Sequence, residues 1–371
     1  MFNLTYKSID VMKKSKDSLT GQLTTAEKQN LIACLAETGC THIAISVPLD
    51  DNSVWVSAGS TPSSRTVEAE TQDWCDVIHA QMSVWGQPLK VIHRGSFGGI
   101  ENIFGVAYDQ GTSTGNSSST TTSTWCGRYY RYLTLHVGSH VMSGDVFAPI
   151  PEGTTHAFDG HWFTTQGPYM TLFNDLHTIT DAYATAQGVS LTFMSHNNFS
   201  EVATGYISGI FSNQSMAGAD YYGQRQSGVA VRPEDYVYDW QQLYLGKDSN
   251  GGGNNNAGGV NQFWGEWGDL PNAMPSVATR SIEYRLHFLM RFYKAIRDNL
   301  VPSNGHLVGF NYWGGWEGQN TSLLYKTGSG ASSQYFLNAR GKMLAAFFKS
   351  DGGMKRIPVV TGGTTDDTYR F

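Results

Sequence analysis

The sequence predicts an α/β protein whose eight parallel strands close into a single-domain (β/α)8 TIM barrel. Three observations predict it. Short apolar runs rich in β-branched residues alternate with longer amphipathic runs along nearly the whole chain, which implies a parallel sheet. The unit can be counted eight times. The rival, an open doubly wound sheet, finds no G-x-G-x-x-G after a first strand to support it. The 371 residues, 40% of them apolar, match a barrel of typically ~250 residues plus insertions.

The elements follow in order. "LTYKSIDVM" (4–12) reads as the first strand. "TAEKQNLIACLAETG" (25–39) places Leu31, Ile32 and Leu35 at helical spacing and ends on Gly39. "THIAISVPL" (41–49) is continuous and β-branched, as a strand buried on both faces should be. Helix 71–86 leads to strand 89–97, helix 124–141 to strand 144–153, and helix 169–188 to strand 189–198. A weaker helix at 201–213 leads to strand 218–225, helix 232–246 to strand 260–268, and helix 279–300 to strand 306–316. A last helix, 334–350, has no strand to follow it. Two stretches, the Ser/Thr/Gly-rich 109–124 and the Gly/Asn-rich 247–259, read as flexible loops.

Composition narrows the function. Charged residues make up 15%, the net charge is −6 and no basic patch stands out, which argues against a nucleic-acid partner. No stretch approaches 18 apolar residues, so no membrane span is expected. The first residues lack the apolar run of a signal peptide; the protein is secreted if a leader was removed and cytoplasmic otherwise. Cys34, Cys40, Cys75 and Cys126 show no metal-ligand spacing and read as buried small hydrophobes, with one or two disulfides open to an exported protein. Aromatic residues reach 13%, with 10 Trp, a composition suited to flat, half-apolar ligands such as sugar rings.

A barrel of this kind builds its active site at the C-terminal ends of its strands. Those ends carry His93 and Arg94 on strand three, Glu152 on strand four, His196 and Asn197 on strand five, and Asp220, Tyr221 and Tyr222 on strand six. Strand seven, "NQFWGEWGD", carries Glu266 between Trp264 and Trp267, and strand eight carries Asn311, Trp313, Trp316 and Glu317. Two carboxylates at strands four and seven would face each other across the barrel mouth. Glycoside hydrolysis needs such a pair, one to protonate the leaving oxygen and one on the opposite side of the anomeric carbon.

"FWGEWGD" and "FNYWGGW" resemble the strand-seven and strand-eight segments of the clan A glycoside hydrolases, closest in motif to family five of the cellulase and mannanase type. The resemblance implies a retaining, endo-acting hydrolase of a β-linked polysaccharide such as a β-1,4-glucan or mannan. In it Glu266 is the nucleophile and Glu152 the general acid/base, with Glu101 as the reserve acid. Tyr222, or Tyr221 one register earlier, would hydrogen-bond the nucleophile. Trp313 would lie under the sugar, and His93 and Arg94 would hold sugar hydroxyls or orient the nucleophile. Trp162, Trp264, Trp267 and Trp316 complete the expected substrate contacts. One position departs from the pattern: Pro151 stands where most of the clan has the asparagine that holds the sugar 2-hydroxyl, so that contact either comes from elsewhere, with Asn197 and His196 as candidates, or is absent.

Other chemistries fit less well. No G-x-S-x-G elbow and no phosphate loop occurs. His136 and His140 have the i, i+4 spacing of metal ligands on a helix, but no H-E-x-x-H accompanies them and that helix should lie outside the barrel. No cofactor and no metal are expected, and the chain is read as a monomer whose partner is an oligo- or polysaccharide. The alternative from another class is a non-catalytic carbohydrate-binding barrel or adhesin component.

Overall fold

The computed structural model describes residues 4–12, 14–15, 23–47, 67–95, 125–149, 166–198, 216–220, 232–244, 261–268, 282–300, 307–318 and 321–350. Eight strands close into one parallel barrel in chain order. They are β1 (Tyr6–Asp10), β2 (His42–Val47), β3 (Lys90–Gly95), β4 (Val146–Ala148), β5 (Thr192–Asn198), β6 (Met216–Asp220), β7 (Gln262–Trp267) and β8 (Leu307–Trp313). β8 pairs with β1 through Tyr6↔Gly309 to Asp10↔Trp313, which seals the barrel and leaves no edge.

Helices α1 (Thr25–Ala36), α2 (Val67–Ala80), α3 (Trp125–Arg131), α4 (Gln166–Gln187), α5 (Pro233–Tyr244), α6 (Ile282–Ala295) and α7 (Ala339–Phe348) accompany the strands. α3 and α6 each continue into a π-helical turn, Tyr132–Val137 and Ile296–Leu300. Local chemistry sets the ends of α1. Thr24 and Glu27 form a reciprocal capping box at its start, and Gly39, at φ 84°, reverses the chain after it. The helix expected at 201–213 and both expected flexible loops lie outside the described residues.

Strand alternation sorts the core into two layers. Inside the barrel, Ala44, Ile92, Val146, Ala148, Met194, Met216 and Phe263 pack against one another. The larger outer layer lies between sheet and helices and includes Ile9, Ile43, Ile45, Val91, Phe147, Phe193 and Phe310. Gly309 is required by this packing, because a Cβ there would lie 2.1 Å from the Phe263 ring. All four cysteines are buried free thiols, and burial pushes Cys34 and Cys40 up to about 12. No helix among the described residues is long and apolar enough to cross a membrane.

Beyond shifts at helix ends, such as the helix expected over 71–86 that runs from Val67 to Ala80, two elements differ from the sequence expectation. The sixth strand is Met216–Asp220, two residues earlier than expected at its start, and its small residues, "MAGAD", carry little β-propensity to mark it. Residues Gln334–Leu337, expected to open the last helix, instead form β10, antiparallel to β9 (Leu324–Thr327). Tyr325 and Phe336 stack across this hairpin at 5.2 Å, and Asn338 caps the start of α7 through Gly341 N–H.

Two barrel-wall histidines make stability depend on pH. His42 bonds Thr41 Oγ1 at 2.7 Å and His93 bonds Tyr132 Oη at 2.9 Å; burial lowers each to about 4. Unfolded, a histidine titrates near ~6.5. Between these values the unfolded chain takes up protons that the folded chain refuses, so stability is complete above ~6.5 and falls as the pH drops toward 4. The two together should contribute on the order of 6 kcal/mol across that window. Urea titrations at pH 7.5, 6.5, 5.5 and 4.5 measure it; an unchanged midpoint over that series contradicts neutral burial of these rings.

Candidate active site

The site begins with an extra residue in β7. Against β8, Trp264 pairs with Phe310 and Trp267 with Tyr312, so three steps on β7 span two on β8. Against β6, Ala219 pairs with Trp264 and Asp220 with Glu266, again one step against two. This is a β-bulge, and it re-aims side chains. In a regular strand Trp264 and Glu266 would share a face; here both tryptophans turn to the helices while Gly265 and Glu266 turn inward. A Cβ on Gly265 would lie 2.5 Å from His196 Nε2 and 2.6 Å from Asp220 Oδ1, so the bulge needs glycine at that position.

Glu266 meets a guanidinium. Arg94, 5% exposed at the end of β3, pairs through one terminal nitrogen with Glu266 Oε1 and through the other with Asp10 Oδ2. Burial alone would lower the Arg94 pKa, but Glu266, Asp10 and Asp220 outweigh it and hold the group well above its ordinary value. Arg94 is therefore a permanent cation beside Glu266, a setting that favours an ionised carboxylate. Asp10, fully buried at the end of β1, is fixed in turn by the Met12 N–H, which donates to its Oδ1 at 2.5 Å.

Further groups reach Glu266 from β5, β6 and β8. His196 at the end of β5 contacts Asp220 Oδ1 through Nε2, and both are about 1% exposed at the side chain. Burial, and then the Arg94 charge, keep His196 well below its ordinary pKa, hence neutral. On β8, Asn311 donates from Nδ2 to Gly265 O at 2.7 Å and so ties the bulge to its neighbour. Trp313, the register partner of Asp10, is half-buried at the rim. Asn197 occupies the β5 position opposite Ala219.

His196, Asp220 and Glu266 place their ligand atoms within 4.8 Å of one another, a geometry open to a cation. Arg94 already sits on Glu266 Oε1, so a metal would have to share that carboxylate with a guanidinium. The His136–His140 spacing does not form a ligand pair: the helix ends at Val137, and His140 bonds Asp76 Oδ1 at 2.6 Å beyond it.

Several expected sugar contacts are corrected. Trp264 and Trp267 are 0% exposed on the helix side of the sheet, where Trp264 stacks on Trp240 at 4.3 Å and Trp267 on Phe292 at 4.1 Å. They anchor α5 and α6 and have no face to offer a ligand. His93, next to Arg94 in an alternating strand, also faces the helices, stacked on Phe147 at 4.3 Å. Trp316 is 1% exposed and meets Trp313 edge to face at 4.9 Å, so it buttresses Trp313 without presenting its own ring to a sugar. Replacing Trp267 with Phe should cost about 1–2 kcal/mol of stability through lost packing. Oligosaccharide affinity of the folded variant should be unchanged; a weakened affinity at equal stability contradicts this placement.

Glu152, Tyr222 and Trp162, with the reserves Glu101 and Tyr221, lie outside the described residues. The residue that sequence reasoning missed is Asp10. Its signal was present: a carboxylate at the C-terminal end of the first strand, two residues after Ser8 and hence on the same face.

No known family's sequence profile and no curated protein matches this chain. The fold is similar to that of a β-glycosidase over 98% of this chain and 99% of the other, with a TM-score of 0.54 and 12% identity. A family 5, subfamily 18 glycoside hydrolase from Bifidobacterium longum, solved with mannosyl-β-1,4-N-acetylglucosamine, gives a TM-score of 0.59 at 10% identity over 93% of this chain and 78% of that one. A family 5, subfamily 4 broad-specificity endoglucanase from Bacteroides salanitronis gives 0.51 at 13% identity over 93% and 92%. At these identities the likeness is one of fold: this chain shares the (β/α)8 barrel of glycoside hydrolases.

Proposed function

We propose that this protein is a retaining glycoside hydrolase that cleaves a β-linked polysaccharide by double displacement, with Glu266 as nucleophile and Glu152 as general acid/base. The observation that carries this reading is the delivery of Glu266 into the barrel mouth by the β7 bulge, onto a guanidinium that Asp10 anchors from behind. A carboxylate held ionised there can attack an anomeric carbon. The acid protonates the departing oxygen, a glycosyl ester forms on Glu266, and the acid, now a base, draws a proton from the water that hydrolyses it. Neutral His196 next to this centre adds no charge that would compete with Arg94. Retention calls for a separation of ~5–5.5 Å between the Glu152 and Glu266 carboxyls; roughly 6.5–9.5 Å would point to inversion.

The glycoside hydrolases that share this barrel support the reaction class. A β-1,4-glucan or mannan is the first substrate class to try, given the endoglucanase and the mannosyl complex among them. The chain is read as one catalytic barrel acting as a monomer without a cofactor. Pro151, in place of the sugar-binding asparagine, favours a second reading, a binding barrel without catalysis. Reducing-sugar release from soluble β-glucans, mannans and xylans separates the two, with the anomer of the first product followed by proton NMR. Release with retained configuration is expected. Binding to one of these polymers without release from any of them establishes the binding barrel.

A further inference from the structure

The bulge that delivers Glu266 has a residue set against it. On β8 the pairs Trp264↔Phe310 and Trp267↔Tyr312 leave Asn311 standing opposite both Gly265 and Glu266. Phe310 and Tyr312 belong to the layer between sheet and helices, so alternation turns Asn311 inward. Neither β6 nor β8 offers Gly265 a register partner. Its carbonyl accepts from Asn311 Nδ2 at 2.7 Å. A carbonyl can only accept, so it is the amide nitrogen of Asn311 that must face it. Asn311 is 1% exposed, and its Oδ1 meets no hydrogen-bond partner. A buried amide satisfied at one end costs stability, and such a group calls for a specific explanation. On the other side of the bulge, His196 and Asp220 close on Gly265 so tightly that no side chain fits there.

We propose that Asn311 is a positioning residue for Glu266: its amide holds the β7 bulge in place and so fixes the direction in which the nucleophile points. The inference rests on the glycosidase reading and adds a residue to that reaction. Without the amide donor the buried Gly265 carbonyl loses this bond, and β7 can recover a partner only by drawing back toward regular pairing. Regular pairing puts Glu266 on the same face as Trp264. Trp264 is held to the helix side by its stack on Trp240 at 4.3 Å, so Glu266 is the residue that swings, away from Arg94. A displacement of about 1 Å at a reacting group can cost ~10²-fold in rate. Asn311 works through the backbone of its neighbour, so the rate should suffer and sugar affinity should not.

Two variants of the same shape test this. Asn311→Leu removes the donor, and Asn311→Asp can donate to the Gly265 carbonyl only when its carboxyl is protonated. The rate of inactivation by an activated 2-deoxy-2-fluoro β-glucoside or mannoside reports the attack of the nucleophile. Calorimetric titration of cellotetraose and mannotetraose, with Glu266→Gln as the background, reports affinity, and a thermal melt of each variant reports folding. Asn311→Leu should slow inactivation about a hundredfold or more with affinity unchanged. Asn311→Asp should be slow at pH 7, and its rate relative to the wild type at the same pH should recover as the pH is lowered to 5. A wild-type rate in Asn311→Leu overturns the positioning role and leaves the hydrolase standing. So does a loss in which rate, affinity and melting temperature fall together, or an Asn311→Asp deficit that is the same at every pH. A wild type that neither takes up the inactivator nor cleaves any polymer overturns both.

Discussion

Glu266→Gln should abolish hydrolysis, lowering the rate by about 10⁴-fold or more, while oligosaccharide binding persists. Glutamine keeps the shape of glutamate and can still face Arg94, but it cannot form the glycosyl ester. The barrel should tolerate the change, because Arg94 keeps its ion pair with Asp10. Steady-state rates beside a binding titration measure both halves of this expectation. A variant that keeps even about one hundredth of the rate would remove Glu266 from the nucleophile's place.

Arg94→Met should have the largest effect on stability. Asp10 is fully buried and Arg94 is its cationic partner, so truncation strands a charge that folding has taken out of water. Breaking a buried pair from one side typically costs about 3–5 kcal/mol. In whatever fraction remains folded, the cation that favours ionised Glu266 is also gone, so the acid limb of the rate profile should move to higher pH. Denaturant unfolding gives the first quantity and a pH–rate series the second. A variant as stable as the wild type would contradict the Asp10–Arg94–Glu266 chain as the support of the site.

The barrel was legible in the sequence because its strands are buried on both faces and read as continuous runs between amphipathic helices. Arg94 and Glu266 were legible because strand ends in such a barrel are where chemistry gathers. Which side each strand-end residue faces was not legible. His93 and Arg94 are adjacent, so only one of them can point inward, and composition does not say which. Trp264, Glu266 and Trp267 looked alike until the bulge sorted them, and the extra residue appears only in the register with β6 and β8. The hairpin of β9 and β10 was hidden for another reason. Its second strand, "QYFL", runs directly into a helix and continues that helix's apolar content, so the boundary rests on the Asn338 cap alone.

Double displacement depends on a covalent bond forming at one carboxylate, and that bond can be weighed. The protein is incubated with an activated 2-deoxy-2-fluoro β-glucoside or mannoside, whose fluorine slows release of the glycosyl ester, and its intact mass and proteolytic peptides are recorded. The expected result is a mass increase of one fluoroglycosyl group, mapped to the peptide that holds Glu266 and absent from Glu266→Gln. Turnover of the natural polymer with the adduct on another residue, or with inverted product and no adduct, would contradict it.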